Sequence, residues 1–416
     1  MREMKDSGVE WIGSVPTSWN IMTVGSLLKV RNEIVNDTDY PPLSVTKDGI
    51  VPQMKNVAKS DATDNRKMVL ANDFVINSRS DRKQSCGVSP FDGSVSLINI
   101  VLYPTERAPV VPAYLNYLMK NNSFAEEFYR HGHGIVADLW TTRWQEMKSI
   151  LLPVPTMEEQ QRILETVSTR TKKVDALITN QQTQIEKLKA YKQSLITEVV
   201  TKGLDPDVPM KDSGVEWIGM IPEHWEIQKL KTRTNMLTPM RDKPADLSGP
   251  IPWIRIEDYS GKYISSSKEH LGVSADTVKA MNLKIYPIGT VLCTSSCDLG
   301  KCAIVEKELV SNQRFIGIIP TYRLSSEFLY YLMLSNAERL NTLSTGSIQA
   351  NLSRVEFEQL LVQFPPLNEQ LEITQHLDKK CTMVDYLIDI TQTKIKKLEQ
   401  YKKSLIYEYV TGKKEI

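Results

Sequence analysis

Between residues 156 and 202 apolar side chains return at steps of three, four and seven: Ile163, Val167, Val174, Leu177, Ile178, Ile185, Leu188, Leu195 and Val199. Such steps keep one stripe on one face of a helix. The stripe recurs in Ile373, Leu377, Val384, Leu387, Ile388, Ile395, Leu398, Leu405 and Val410. Pro155 and Pro366 stand at the entrances, where a missing N–H costs nothing, and Gly203 and Gly412 follow the last turns as C-caps. A continuous helix over 156–202 would run about 70 Å at 1.5 Å per residue. A stripe that narrow on a helix that long needs a partner helix, and the other copy is the obvious one. The polar interruptions Gln181 and Thr391, at one repeat position, fit that pairing.

The repetition extends beyond the helices. "KDSGVEWIGSVPTSW" from Lys5 returns as "KDSGVEWIGMIPEHW" from Lys211, with nine identical letters in a row, which marks a true internal repeat. At an offset of 210, "PTMEEQQRI" from Pro155 answers "PPLNEQLEI" from Pro365, and "IEKLKAYKQSLITEVVT" from Ile185 answers "IKKLEQYKKSLIYEYVT" from Ile395. Between phrase and helix the copies diverge, yet "AYLNYLMKN" at Ala113 matches "EFLYYLMLSN" at Glu327 as a short amphipathic helix. "ANDFVINSRSDRKQSCG" at Ala71 matches "PIGTVLCTSSCDLGK" at Pro287 as a turn, a short apolar strand and a polar loop. One fold therefore occurs twice, with its polar loops rewritten.

Composition narrows the class. A chain of 416 residues with 41% apolar side chains suggests two to three domains. The charged opening "MREMKDSGVEWIG" does not suit a signal peptide, and no stretch approaches the ~18 apolar residues of a membrane span. Five cysteines without a framework spacing fit a reducing compartment, so a cytoplasmic protein without membrane association is expected. With 51 basic and 50 acidic side chains the formal net charge is +1. A protein binding nucleic acid by its own bulk electrostatics is usually more basic, so any such binding needs a partner that supplies phosphate contacts.

Two divergent segments, each introduced by a WIGxxPxxW phrase and each closed by P…EQ…I leading into a long helix ending KxSLI, resemble the specificity subunit of type I restriction-modification systems. The resemblance spans essentially the whole chain. It implies an α+β fold in which two α/β target recognition domains are joined by two long antiparallel helices, a coiled-coil spacer with a pseudo-two-fold repeat. On that pattern residues 1–154 hold the first joint and recognition domain, 155–203 the central helix, 204–364 the second joint and recognition domain, and 365–416 the C-terminal helix. The implied role is non-catalytic: each domain reads one half of a split sequence in double-stranded DNA. The helices set the spacing and dock two modification (methyltransferase) subunits. The implied chemistry lies on partners: methyl transfer from S-adenosylmethionine to adenine N6 of a flipped base on the modification subunits, and ATP- and magnesium-dependent translocation and cleavage on restriction subunits. The chain itself is expected to hold no cofactor. A specificity subunit of a fused restriction-modification enzyme, or a coiled-coil scaffold that never meets DNA, are the alternative readings.

The residues themselves support a non-enzyme. No Gly-x-x-x-x-Gly-Lys-Ser/Thr loop is present, and the Pro-Pro pairs in "YPPL" and "FPPL" lack the Asn-Pro-Pro-aromatic context of an amino methyltransferase. "CTSSCDLGKC" from Cys293 has three thiols at uneven spacing with no second Cys or His pair, so no metal site is expected; His131 and His133 in "RHGHG" are weak ligand or base candidates. Base edges are read by paired hydrogen bonds, from Arg to guanine and from Gln or Asn to adenine. "NSRSDRKQS" from Asn77 concentrates Arg79, Arg82, Lys83 and Gln84 after a strand. The second copy answers with Ser295, Ser296 and Lys301, joined by Gln313, Arg314 and Gln349. The joint is assigned to Trp11, Trp19, Trp217 and Trp225, all expected to bury against helix ends, with Glu159, Gln160, Glu369 and Gln370.

Overall fold

The structure, a computed structural model, describes residues 2–53, 65–79, 82–134, 140–239, 242–296, 299–343 and 352–416. It divides into two compact units, Met1–Gln182 with Gln392–Ile416, and Thr183–Thr391. Both boundaries fall inside the long helices Met157–Lys202 and Leu367–Val410, so each unit takes the first part of one helix and the last part of the other.

In the first unit an antiparallel sheet runs in the order Cys86–Val88, Phe74–Asn77, Asn99–Pro104, Leu28–Val30. Its strands are apolar on both faces because both are covered. Phe74, Ile76, Ile100 and Leu102 join a core with the short helices Pro112–Lys120 and Asn122–Arg130 and with Ile163 and Val167 of the long helix. Val75 and Val101, on the opposite face by the period of two, pack with Leu43, Ile50, Val69 and Val95. A second, three-stranded sheet (Gly93–Ser96, Arg66–Val69, Ile34–Val35) and the hairpin Leu43–Thr46 with Gly49–Pro52 supply that cover.

The second unit repeats the plan, its main sheet having five strands among the described residues where the first has four. Its main sheet runs Thr234–Leu237, Phe315–Pro320, Val291–Thr294, Cys302–Val305, Tyr263–Ile264, the last pair parallel. Val291, Cys293, Ile304 and Ile316 face Phe328 and Leu332 of the helix Ser326–Ser335 and Ile373 and Leu377 of the long helix. Leu292, Ala303, Val305 and Phe315 face the other way. In both units the strand–turn–loop and short-helix echoes lie at matching places in the sheet and on its covered face.

Each long helix begins with a strand that leads straight into it. Leu151–Val154 pairs with Asn20–Thr23, and Leu361–Phe364 with Glu226–Lys229. Gly203 and Gly412 end the helices at φ of +79° and +73°, a left-handed conformation glycine adopts without a Cβ penalty. The buried positions differ from the apolar stripe in one respect. They step alternately by four and three, through Val167, Thr171 and Val174 in one helix and Leu377, Cys381 and Val384 in the other. Leu177 and Leu387 fall off that seam and are 50% and 42% exposed. Thr171 and Cys381 occupy seam positions that counting aliphatic residues passes over. Among the described residues no helix is long and apolar enough to cross a membrane.

Candidate nucleic-acid interface and the joint

In each unit the repeated phrase grips the start of one long helix and the end of the other. Gln160, fully buried, accepts from Val111 N–H (2.8 Å) and donates to the Pro109 (2.7 Å) and Pro155 (3.0 Å) carbonyls. Gln370, equally buried, accepts from Ser325 N–H (3.0 Å) and donates to the Arg323 (3.1 Å) and Pro365 (2.9 Å) carbonyls. Beside them Glu159 takes an ion pair from Arg2, whose guanidinium lies 5.4 Å over the Trp19 ring. Glu369 instead accepts from Trp225 Nε1 (2.9 Å) and pairs with His224 Nε2 (2.6 Å). Trp19 and Trp225 are fully buried and stand against Gly412 and Gly203, where a Cβ would come within 3.1 and 3.3 Å of the rings.

Trp217 departs from the expected burial. Trp11 is 8% exposed and meets Phe124 edge-on at 5.8 Å, whereas Trp217 is 43% exposed with the Arg339 guanidinium 4.0 Å from its ring. An apolar edge lets the first ring bury. A charged neighbour that needs water keeps the second at the surface.

The loop after strand Phe74–Asn77 brings Arg79, Arg82, Lys83 and Gln84 around one hollow, which Tyr129 and Trp140 also line. Arg79 and Arg82 are exposed, and the Arg82 N–H donates to the Arg79 carbonyl at 3.3 Å. Gln84 holds a left-handed φ of +64° and reaches Asn122 Oδ1 at 3.3 Å. Lys83 is engaged within the unit, 3.0 Å from the Glu126 carboxylate and 4.1 Å over the Tyr129 ring.

In the second unit Ser295 N–H donates to the Arg314 carbonyl (2.8 Å), and the Ser295 carbonyl accepts from Leu352 N–H (2.8 Å). Those bonds bring Ser295, Gln313 and Arg314 together at the end of the sheet. Ser295 and Gln313 line a hollow with Thr238, Ser353 and Arg354. Gln313 and Arg314 line a neighbouring one with Lys243, Arg255 and Asn312. Ser296 and Lys301 line neither, and Gln349 lies outside the described residues. Arg255, held by Glu269 at 2.9 Å, Lys243 and Arg354 were missed in the sequence because each lies about 40 residues or more from the loop they approach.

The other candidates take local partners: His131 meets Glu127 at 3.2 Å and His133 meets Glu146 at 3.0 Å. Cys293 and Cys302 face each other across two strands, both buried, and Cys297 lies outside the described residues. Among the described residues no three metal-ligating side chains converge.

A family model described as "Type I restriction modification DNA specificity domain" matches residues 223–400. The type I restriction enzyme MjaIX specificity subunit of Methanocaldococcus jannaschii is 32% identical over 188 residues, 44% of this chain and 42% of that one. The putative type I restriction enzyme MjaX specificity subunit of the same organism is 22% identical over 427 residues, 97% of this chain and 95% of that one. Residues 223–400 thus resemble the DNA specificity domain of type I restriction-modification systems, and the chain as a whole aligns with a specificity subunit at 22% identity. Alignment thus reaches less than half of the first relative's length and nearly all of the second's. A solved chain titled for complex assembly and conformational transition of the type I R-M system shares the fold, with a TM-score of 0.70 at 15% identity over 95% of this chain and 98% of that one.

Proposed function

We propose that each unit carries a target recognition domain whose loop face reads one half of a split DNA sequence, and that the long helices pair in opposite directions as the spacer between the halves. The observation that carries this reading is the contrast within one scaffold. The glutamine joint is the same in both units, while the charged and amide side chains of the polar faces differ: Arg79, Arg82 and Gln84 in one, Gln313, Arg314 and Arg255 beside Ser295 in the other. A scaffold kept constant under a rewritten face is what two modules need to present different donors and acceptors to different base edges. Support for opposite helix directions comes from contacts inside the first unit, where Arg170 lies over Tyr409 and Lys402 reaches Asp175 at 2.6 Å. With a net charge of +1, most counterion release falls to the modification subunits that this chain docks. Methyl transfer from S-adenosylmethionine, and ATP- and magnesium-dependent cleavage, then belong to modification and restriction partners. The chain acts as a non-catalytic reader.

The test is exchange of residues 20–154 for those of a relative, followed by genome-wide mapping of methylated adenines in cells carrying the partner subunits. One half of the recognised sequence should change and the other persist. A change in both halves, or in neither, would overturn the assignment.

A further inference from the structure

The main sheet of the second unit is tied to the long helices at both edges. Its first edge strand, Thr234–Leu237, follows the joint strand Glu226–Lys229 after four residues and so is held by the chain itself. Its far edge, Tyr263–Ile264, has no such connection. There Lys262, with its side chain only 15% exposed, places Nζ 2.6 Å from Asp378 Oδ1 on the C-terminal helix. The buried Tyr331 donates its hydroxyl to the same oxygen at 2.6 Å, and its ring lies 5.0 Å from the ammonium; the Tyr263 and Tyr330 rings lie at 5.5 and 5.8 Å. Burial, and then Asp378 itself, hold the Tyr331 phenol protonated, so it serves as a donor.

From this clasp the connection to the loop face is short. The Lys262 carbonyl accepts from Ile304 N–H at 2.8 Å, and strand Cys302–Val305 begins directly after Lys301, whose carbonyl accepts from Thr294 N–H at 2.9 Å. A tilt of the sheet about its joint edge would move that loop most and would have to break the clasp first. Among the described residues the first unit shows no counterpart. Ser168 stands where the second has Asp378, at the offset of 210. Its far edge strand, Cys86–Val88, is held by a short helix instead, Val88 N–H donating to Asn116 Oδ1 at 3.0 Å. Among the described residues no ion pair joins that sheet to a long helix.

We infer that Asp378, with Lys262 and Tyr331, is a positioning residue that fixes the tilt of the second recognition sheet on its helices and thereby narrows the spacer length the protein accepts between half-sites. This rests on the recognition reading above. Removing the clasp should leave both half-site sequences intact and relax the distance between them.

The experiment uses the complex of the full chain with its methyltransferase partner, S-adenosylmethionine, and duplexes carrying the two mapped half-sites at the native spacing and at one base pair more or less. In Asp378→Asn and Lys262→Met complexes, methylation at the altered spacings relative to the native one should rise about tenfold over wild type, the scale set by losing one charge-assisted bond. Half-site preference should not move. Lys262→Met leaves Tyr331 on Asp378, so it remains informative if the first variant folds poorly. A ratio within twofold of wild type in a folded complex, whatever the total rate, would make the clasp a brace without a role in spacing. Failure of the wild-type complex to methylate any split site would instead remove the recognition reading, and the inference with it.

Discussion

The carbonyl at the end of each long helix is satisfied in both units, but by different chemistry. In the first, Val410 O accepts from the Tyr114 hydroxyl at 2.8 Å, a hydroxyl that also reaches the Pro153 carbonyl at 3.1 Å. In the second, the equivalent Val200 O accepts from Gln363 Nε2 at 3.0 Å. Gln363 stands where the first unit has Pro153, and Phe328 stands where it has Tyr114. The donor has moved from a short helix to a strand while the acceptor has stayed. What persists through duplication is the demand that a buried carbonyl be bonded, not the residue that meets it. Gln160 and Gln370 persist as residues because each meets three demands at once, which no other side chain of that size does.

The largest effect that can break this comparison is at those glutamines. Gln160→Leu strands one N–H and two carbonyls in the first joint, and Gln370→Leu strands the same three groups in the second. Each should cost about 3–4 kcal/mol, since every unmet buried group costs roughly 1–3 kcal/mol and the groups relax together. Calorimetric unfolding of the full chain should show losses equal to within about 1 kcal/mol, the limit to which distant sites add. A much milder Gln370 variant would show that the two joints are alike in geometry but not in load.

How much of this could be read in advance depends on distance along the chain. The long helices were legible because their periodicity is local. The seam was not, since Thr171 and Cys381 bury while Leu177 and Leu387 face outward, and only the partner decides which face is covered. Arg79, Arg82 and Gln84 were legible as one loop, yet Tyr129 and Trp140, which complete their hollow, come from some 50 residues later. Trp217 was misread for a similar reason. The phrase around it is a copy, but its neighbour Arg339, in place of Phe124, lies outside the phrase.

A smaller effect sharpens the carbonyl exchange. Tyr114→Phe should cost about 1–2 kcal/mol, because Val410 O loses its donor in a buried site. Adding Pro153→Gln to that variant transplants the second unit's solution into the first, and thermal unfolding should recover most of the loss. No recovery would mean that the strand Leu151–Val154 does not present its side chain as Leu361–Phe364 does, and that the two solutions are not interchangeable.

The smallest expected effect concerns the two tryptophans. Arg339→Phe gives Trp217 the kind of neighbour Trp11 has, replacing a surface cation–π contact with an aromatic pair. Both are worth about 0.5–1 kcal/mol at such sites, so stability should shift by no more than about 0.5 kcal/mol. Exposure is the sensitive readout. Acrylamide quenching of Trp217 emission, isolated by subtracting a Trp217→Phe control in each background, should fall as the ring loses its water-seeking neighbour and settles inward. Stability and quenching test different links: the first asks what the contact contributes, the second what sets the ring's position. If Trp217 stayed as quenchable as in the parent, the backbone of the second phrase, and not residue 339, would hold it at the surface, and the two phrases would differ in conformation as well as in company.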